Sequence, residues 1–140
     1  MIYTSETAVL EDLAEQLVEV IWQSELGQNY LECAEILEND SQAQKLKLEF
    51  LEAKENFQQI SEYGKFTPGF KEAQRTARQK KRQLDMWPTV AEFKAAETAL
   101  QEELDVIAQQ IAATISPTIK VDYGNPFFHQ ESHHHCQGGK

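Results

Sequence analysis

The sequence predicts an all-α protein, a bundle of about five helices, and three observations lead to that fold class. Glu, Gln, Ala, Leu and Lys dominate the 140 residues, and all five residue types favour helix. Apolar residues recur at intervals of three and four along most of the chain, which is the helical period. Apart from a short run at 118–121, no alternating strand pattern occurs.

The N-terminal part of the chain predicts two helices. The first carries an apolar repeat of Leu10, Leu13, Leu17 and Val20 that continues to Ser24. A second, shorter helix is expected after Gly27, with Tyr30, Cys33, Ala34 and Leu37 on one face. Free cysteine is among the most buried residue types, so Cys33 is expected in the core. The first forty residues contain ten acids and no Lys or Arg.

The third helix has the most regular pattern. Its heptad-like seam is formed by Ala43, Leu46, Phe50, Ala53, Phe57 and Ile60. Such a seam packs against a partner helix at a shallow crossing angle, so we expect a long helical hairpin. Ser41 and Gln44 are predicted to form a capping box at its start, and Gly64 is predicted to end it.

A strongly basic helix is predicted next, beginning near Pro68. Six of the thirteen basic side chains fall within twelve residues: Lys71, Arg75, Arg78, Lys80, Lys81 and Arg82. Only Glu72 interrupts them, so this segment carries +5 in a chain of net charge −10. Its apolar stripe is thin, consisting of Phe70, Ala73, Ala77 and Leu84. A stop is expected at Trp87 and Pro88.

The longest helix is predicted to open with a capping box of Thr89 and Glu92 and to end at Pro117. Its buried face is expected to hold Phe93, Ala96, Leu100, Leu104, Ile107, Ile111 and Ile115. Two long helices with wide apolar stripes in a small chain predict self-association, as a homodimer or a larger homo-oligomer. The organisation expected is a helical domain at 1–117 and a flexible tail at 118–140.

The basic helix has two interpretations. It is either a solvated face that balances acidic neighbours, or a docking surface for an acidic partner or nucleic acid. Binding of single-stranded RNA normally adds exposed aromatic side chains, and the nearby Phe66, Phe70 and Trp87 can all belong to the core. The net charge also opposes RNA, so an acidic protein partner is favoured.

The tail contains a cluster of possible metal ligands: His129, His133, His134, His135 and Cys136. Imidazole and thiolate bind zinc, copper or iron. Adjacent residues of an extended tail point in different directions, however, and one tail thiol cannot hold a four-cysteine cluster. No cofactor is therefore expected, and a metal- or iron–sulfur-dependent redox-sensing module that uses this tail is the alternative.

Other classes of function lack support in the sequence. There is no Ser-His-Asp arrangement, phosphate loop or nucleotide fingerprint, so we expect no enzymatic activity. The longest apolar runs are far below the ~20 residues that span a bilayer, and no signal peptide is evident. A cytoplasmic binding or scaffolding protein is expected.

Several stretches in order resemble the YlbF family of small bacterial regulators, which also includes YmcA and YheA. They are 62–70 (EYGKFTPGF), 81–85 (KRQLD), 90–97 (VAEFKAAE), Leu100-Gln101, 119–121 (IKV), 124–128 (GNPFF) and Gln23-Ser24-Glu25 before Tyr30. The resemblance spans essentially the whole chain and is strongest to the YlbF type.

This resemblance implies a helical, often self-associating, non-enzymatic protein of Gram-positive bacteria that influences competence, sporulation and biofilm formation. It implies action with YmcA and YaaT, in association with RNase Y, on the maturation or decay of transcripts. The family complex also carries iron–sulfur clusters with ligands from a cysteine-rich tail. This chain departs from that pattern, because its tail offers only Cys136. Either Cys136 is one ligand of a site shared between chains, or the tail has lost the cluster, which we favour.

Overall fold

A computed structural model of the chain describes residues 4–124 and confirms the all-α fold. The helices are α1 (Ser5–Gln23), α2 (Glu25–Asn39), α3 (Ser41–Ser61), α4 (Phe70–Asp85) and α5 (Pro88–Ile115). Within the described range there is no strand, and none of its helices is long and apolar enough to cross a membrane. Contacts group into two compact units, one ending at Glu97 and one beginning at Thr98.

The corner between α1 and α2 depends on a serine and a glycine. The Ser24 hydroxyl accepts a hydrogen bond from the Gly27 amide at 3.1 Å and donates one to the Ile21 carbonyl at 2.6 Å. Ser24 therefore caps α2, and α2 begins at Glu25 rather than after Gly27 as predicted. Gly27 is buried inside the first turn, where a Cβ atom would lie 2.2 Å from the Ile21 carbonyl oxygen. Only glycine allows α1 and α2 to approach this closely.

The apolar stripe predicted for α1 is uncovered in the described chain. No residue of α1 is buried, and the exposed fractions of Leu10, Leu13 and Val20 are 67%, 54% and 63%. The predicted helix is therefore present, but residues 4–124 do not bury its apolar repeat. Near the corner the packing improves, because the Tyr30 ring contacts the rings of Trp22 and Phe93, with centroids 6.2 and 5.4 Å away.

Asp40 caps α3 and also accepts hydrogen bonds from two side chains near the start of α5. Its Oδ1 accepts hydrogen bonds from the backbone amides of residues 42 and 43, so Asp40, not Ser41, caps α3. Its Oδ2 accepts hydrogen bonds of 2.7 Å from Trp87 Nε1 and Thr89 Oγ1. The Thr89 hydroxyl is thus directed at Asp40 rather than at its own helix. Pro88 is the first residue of α5, where its missing N–H costs nothing.

The predicted hairpin is formed by α3 and α4, which make the most extensive helix contact in the described chain. Hydrogen-bonded turns connect them: the Thr67 amide donates to the Gly64 carbonyl at 3.2 Å, and the Phe70 amide donates to the Thr67 carbonyl at 3.1 Å. Gly69, at φ 85° and ψ −9°, follows Pro68 as in a type II turn. Helix α4 therefore begins at Phe70, two residues later than the prediction near Pro68.

The second unit contains the rest of α5 and the chain that follows. Leu100 is buried as predicted, but Ile111 and Ile115 are exposed, so the predicted buried face ends before them. Ala112, which was not predicted, is buried instead. Asp105 is buried, and its Oδ1 accepts hydrogen bonds from Gln101 Nε2 and the Gly124 amide, both at 2.9 Å. The predicted tail is described only as far as residue 124.

Candidate partner-binding surface

The inner face of α4 packs on α3 through small and aromatic side chains. Ala73 and Ala77 are buried, which allows the two helices to approach closely. The rings of Phe57 and Phe70 pack together at the connector end, with centroids 5.3 Å apart. This thin apolar stripe fixes which way α4 faces, and it therefore fixes the direction of every basic side chain on the helix.

Two of the six basic residues are paired within the fold. Lys80 Nζ lies 2.7 Å from Glu49 Oε2 on α3, at the position where the apolar stripe would continue. Lys81 Nζ lies 2.7 Å from Asp85 Oδ2, one turn further along α4, and 6.0 Å from the centre of the Phe50 ring. Lys94 pairs with the other oxygen of Asp85. These two lysines therefore have carboxylate partners within the fold.

The pKa values of the two carboxyl partners agree with this assignment. The hydrogen bond from Lys80, together with its charge, lowers the pKa of Glu49. At Asp85, partial burial raises the pKa, but the hydrogen bonds and charges of Lys81 and Lys94 outweigh it, so the pKa lies below its ordinary value. Both carboxylates are therefore ionised partners of these lysines.

The other four basic residues form a separate feature, which we call the outer stripe: Lys71, Arg75, Arg78 and Arg82. Their spacing of four, three and four places them on one face of α4, over a length of about 16 Å. That face is opposite the buried alanines, and all four side chains are exposed. Within residues 4–124 none of the four has a carboxylate within 4.0 Å. The predicted cluster of six is therefore a stripe of four free cations and two internal pairs.

The connector between α3 and α4 holds exposed aromatic residues that the sequence analysis missed. Phe66, expected as a possible core residue, is fully exposed at 102%, and Tyr63 is 81% exposed. Phe70 and Trp87 are half-buried, in line with their expected place. The signal available in the sequence was the pair of glycines, Gly64 and Gly69, which confines Phe66 to a short turn.

A shallow hollow connects these aromatic residues with the outer stripe. It has a volume of about 390 Å³ and is lined by Lys65, Phe66, Thr67, Gly69, Phe70, Lys71 and Glu72. The first cation of the outer stripe and the exposed Phe66 therefore border the same depression.

The predicted metal ligands lie outside the described residues. Cys136, His133, His134, His135 and His129 all belong to the part of the chain beyond residue 124. Within residues 4–124, no group of three or more His, Cys, Asp and Glu side chains could hold a metal ion. Cys33, half-buried on α2, directs its thiol at Asn29 Oδ1 at 3.8 Å. With only two cysteines in the whole chain, the donor set does not fit a four-cysteine cluster.

Residues 4–124 thus form an all-helical protein with an exposed apolar helix face and an exposed row of basic side chains. The sequence model of the family "Control of competence regulator ComK, YlbF/YmcA" matches residues 10–116, and the chain therefore belongs to the YlbF family of regulatory proteins. The resemblance predicted from the sequence is confirmed.

A curated relative and a solved structure support the same assignment. The chain is similar to "Regulatory protein YlbF" of Bacillus subtilis (strain 168), with 38% identity over 139 residues that cover 99% of this chain and 92% of the relative. It is also similar in fold to the crystal structure of Bacillus subtilis RicA in complex with RicF. The TM-score is 0.75 and the identity 36%, over 81% of this chain and 99% of that chain.

Proposed function

We propose that this protein is a non-enzymatic, cytoplasmic adaptor that joins RNase Y to sister regulators of the YmcA and YaaT type. It modulates the processing and decay of mRNA and, through it, competence, sporulation or biofilm programmes. Membership of a regulatory family supports the proposal, as does the similarity to a protein crystallised in complex with a second protein. The donor set supports action without a bound iron–sulfur cluster.

The observation that carries the proposal is the uncovered apolar face of α1. Val9, Leu10, Leu13 and Val20 lie on this face and are each more than half exposed. Continuous apolar faces of this kind mark interaction sites, and most of the stability of a helix in a protein comes from packing of its apolar face. Helix α1 is therefore the element that most requires a partner.

The charges of this helix are arranged so that they do not obstruct a partner. Glu11, Glu15 and Glu19 follow one another on the side of α1 away from the apolar repeat. A matching surface needs mainly apolar side chains, as one face of an amphipathic helix supplies. We assign this face to another helical subunit of the same family, either a sister regulator or a second copy.

A pull-down of the tagged full chain from its native cells tests the proposal. Wild-type protein is expected to recover RNase Y and family members. The double variant Leu13→Glu/Leu17→Glu is expected to lose them, because two buried charges in an apolar interface are costly. Val18→Glu, which adds a charge to an exposed apolar residue on the other side of the same helix, is the matched control and should retain them.

Circular dichroism of each variant verifies that the helices persist. Recovery of the same partners by Leu13→Glu/Leu17→Glu would remove α1 as the contact surface. A wild-type protein that recovers neither RNase Y nor a family member would contradict the adaptor proposal itself.

A further inference from the structure

We infer that the α3–α4 connector and the outer stripe together bind single-stranded RNA. The bases would stack on the exposed rings of Phe66 and Tyr63, and the phosphates would contact Lys65 and the outer stripe. This inference goes beyond the proposed adaptor function, because it assigns a ligand to a surface that the α1 contact does not use.

The exposure of Phe66 is enforced by the backbone. Lys65 and Phe66 occupy the two central positions of the turn closed by the hydrogen bond from the Thr67 amide to the Gly64 carbonyl. Such positions normally favour Gly, Asn, Asp or Ser. A phenylalanine held there forgoes the ~2 kcal/mol that burying its ring would contribute. The chain therefore presents an aromatic face to solvent at a fixed point.

The free cations continue from that point. Lys65 and Lys71 border the same hollow of about 390 Å³ as Phe66, and the outer stripe extends from Lys71 for about 16 Å along α4. Glu49 pairs with Lys80, and Asp85 pairs with Lys81. Neither carboxylate therefore neutralises a cation of the outer stripe. A row of unpaired cations that begins at an exposed ring is the arrangement that binds a single strand.

An acidic protein surface fits this arrangement less well. Aromatic anchors at protein interfaces lie among apolar neighbours, and lysine is depleted there. The hollow beside Phe66 is lined by Lys65, Lys71 and Glu72 as well as by Phe70, so the ring lies next to charged side chains rather than in a purely apolar patch. Phosphate and a stacked base satisfy both the lysines and the ring.

The net charge of −10 does not exclude RNA. Ten of the acids lie in residues 1–40, whereas residues 71–82 carry +5. Charges further apart than about 8 Å are largely screened at physiological ionic strength. The local field at the outer stripe therefore decides whether a phosphate can approach.

Fluorescence anisotropy of the full chain with a labelled oligouridine of about 12 nucleotides tests the inference. Phe66→Ala is expected to weaken binding about tenfold, since it removes one stacking platform. Arg75→Gln/Arg78→Gln/Arg82→Gln is expected to lower the slope of log affinity against log salt by about 2. Lys47→Gln, which removes an exposed cation from α3, should change neither quantity appreciably.

Three results would overturn the inference. The first is no binding by the wild type at low salt. The second is equal affinity for a duplex of the same length, whose stacked bases cannot reach an aromatic platform. The third is loss of protein partners in the Phe66→Ala pull-down with RNA affinity unchanged, which would identify a protein interface. The adaptor proposal is tested separately, because the α1 variants leave this surface intact.

Discussion

The indole Nε1 of Trp87 donates a 2.7 Å hydrogen bond to Oδ2 of Asp40, which connects the residue before α5 to the residue before α3. The same carboxylate caps α3 through its other oxygen. One side chain therefore fixes the start of α3 and anchors the junction between α4 and α5. These bonds, that from Trp87 first and that from Thr89 next, lower the pKa of Asp40 from 3.8 to about 2.

This shift predicts a pH-dependent contribution to stability. Because the pKa of Asp40 is lower in the folded chain, the contribution is complete above pH ~4 and is lost as the pH falls towards ~2. Thermal unfolding followed by circular dichroism should show the melting temperature of wild type falling more over this window than that of Asp40→Asn. Asp12→Asn, an exposed control on α1, should follow wild type. Parallel curves for wild type and Asp40→Asn would contradict the role assigned to Asp40.

The close approach at Gly27 predicts a severe effect of one added methyl group. Gly27→Ala should destabilise the fold by about 2 kcal/mol or more, because its Cβ meets backbone atoms that cannot rotate away. Gly124→Ala is the control, since its Cβ meets only the flexible Gln101 side chain. Urea unfolding measures the free energy of unfolding of both variants. A Gly27→Ala variant as stable as wild type would show that α1 and α2 do not meet as described.

The small inner face of α4 predicts that enlarging it is costly. Ala77→Leu should destabilise the hairpin by about 1 to 3 kcal/mol, because α3 leaves no room for a larger side chain. Gln79→Leu places the same side chain on an exposed position of α4 and should change the free energy of unfolding by less than about 0.5 kcal/mol. If urea unfolding shows the same change in unfolding free energy for both variants, α4 does not pack on α3 through Ala77.

The spacing of apolar residues predicted the helices well, because this spacing depends on the local backbone conformation. The seam from Ala43 to Ile60 correctly required a partner helix, and α4 is that partner. The role given to Ser41 was wrong by one residue, because the neighbouring Asp40 accepts the hydrogen bonds of the first amides of α3. The role of Thr89 could not be predicted from local pattern, because its hydroxyl donates to Asp40, 49 residues away.

Local sequence pattern also predicted the candidate surface only in part. The cluster of six cations was visible in the sequence, but its division depended on Glu49, which reaches Lys80 only once α3 and α4 pack. The exposure of Phe66 was not predictable from hydrophobicity, since the turn between Gly64 and Gly69 overrides it. The apolar repeat of α1 was recognised correctly, although nothing in residues 4–124 buries it.

The central claim, that α1 is the contact with a second subunit, is tested most directly by hydrogen–deuterium exchange. The backbone amides of α1 should exchange much faster than those of α3 in the dilute, isolated chain, because α1 has no buried residue. In the native assembly the α1 amides should become strongly protected. Exchange in α1 that is the same in the isolated chain and in the assembly would contradict the account.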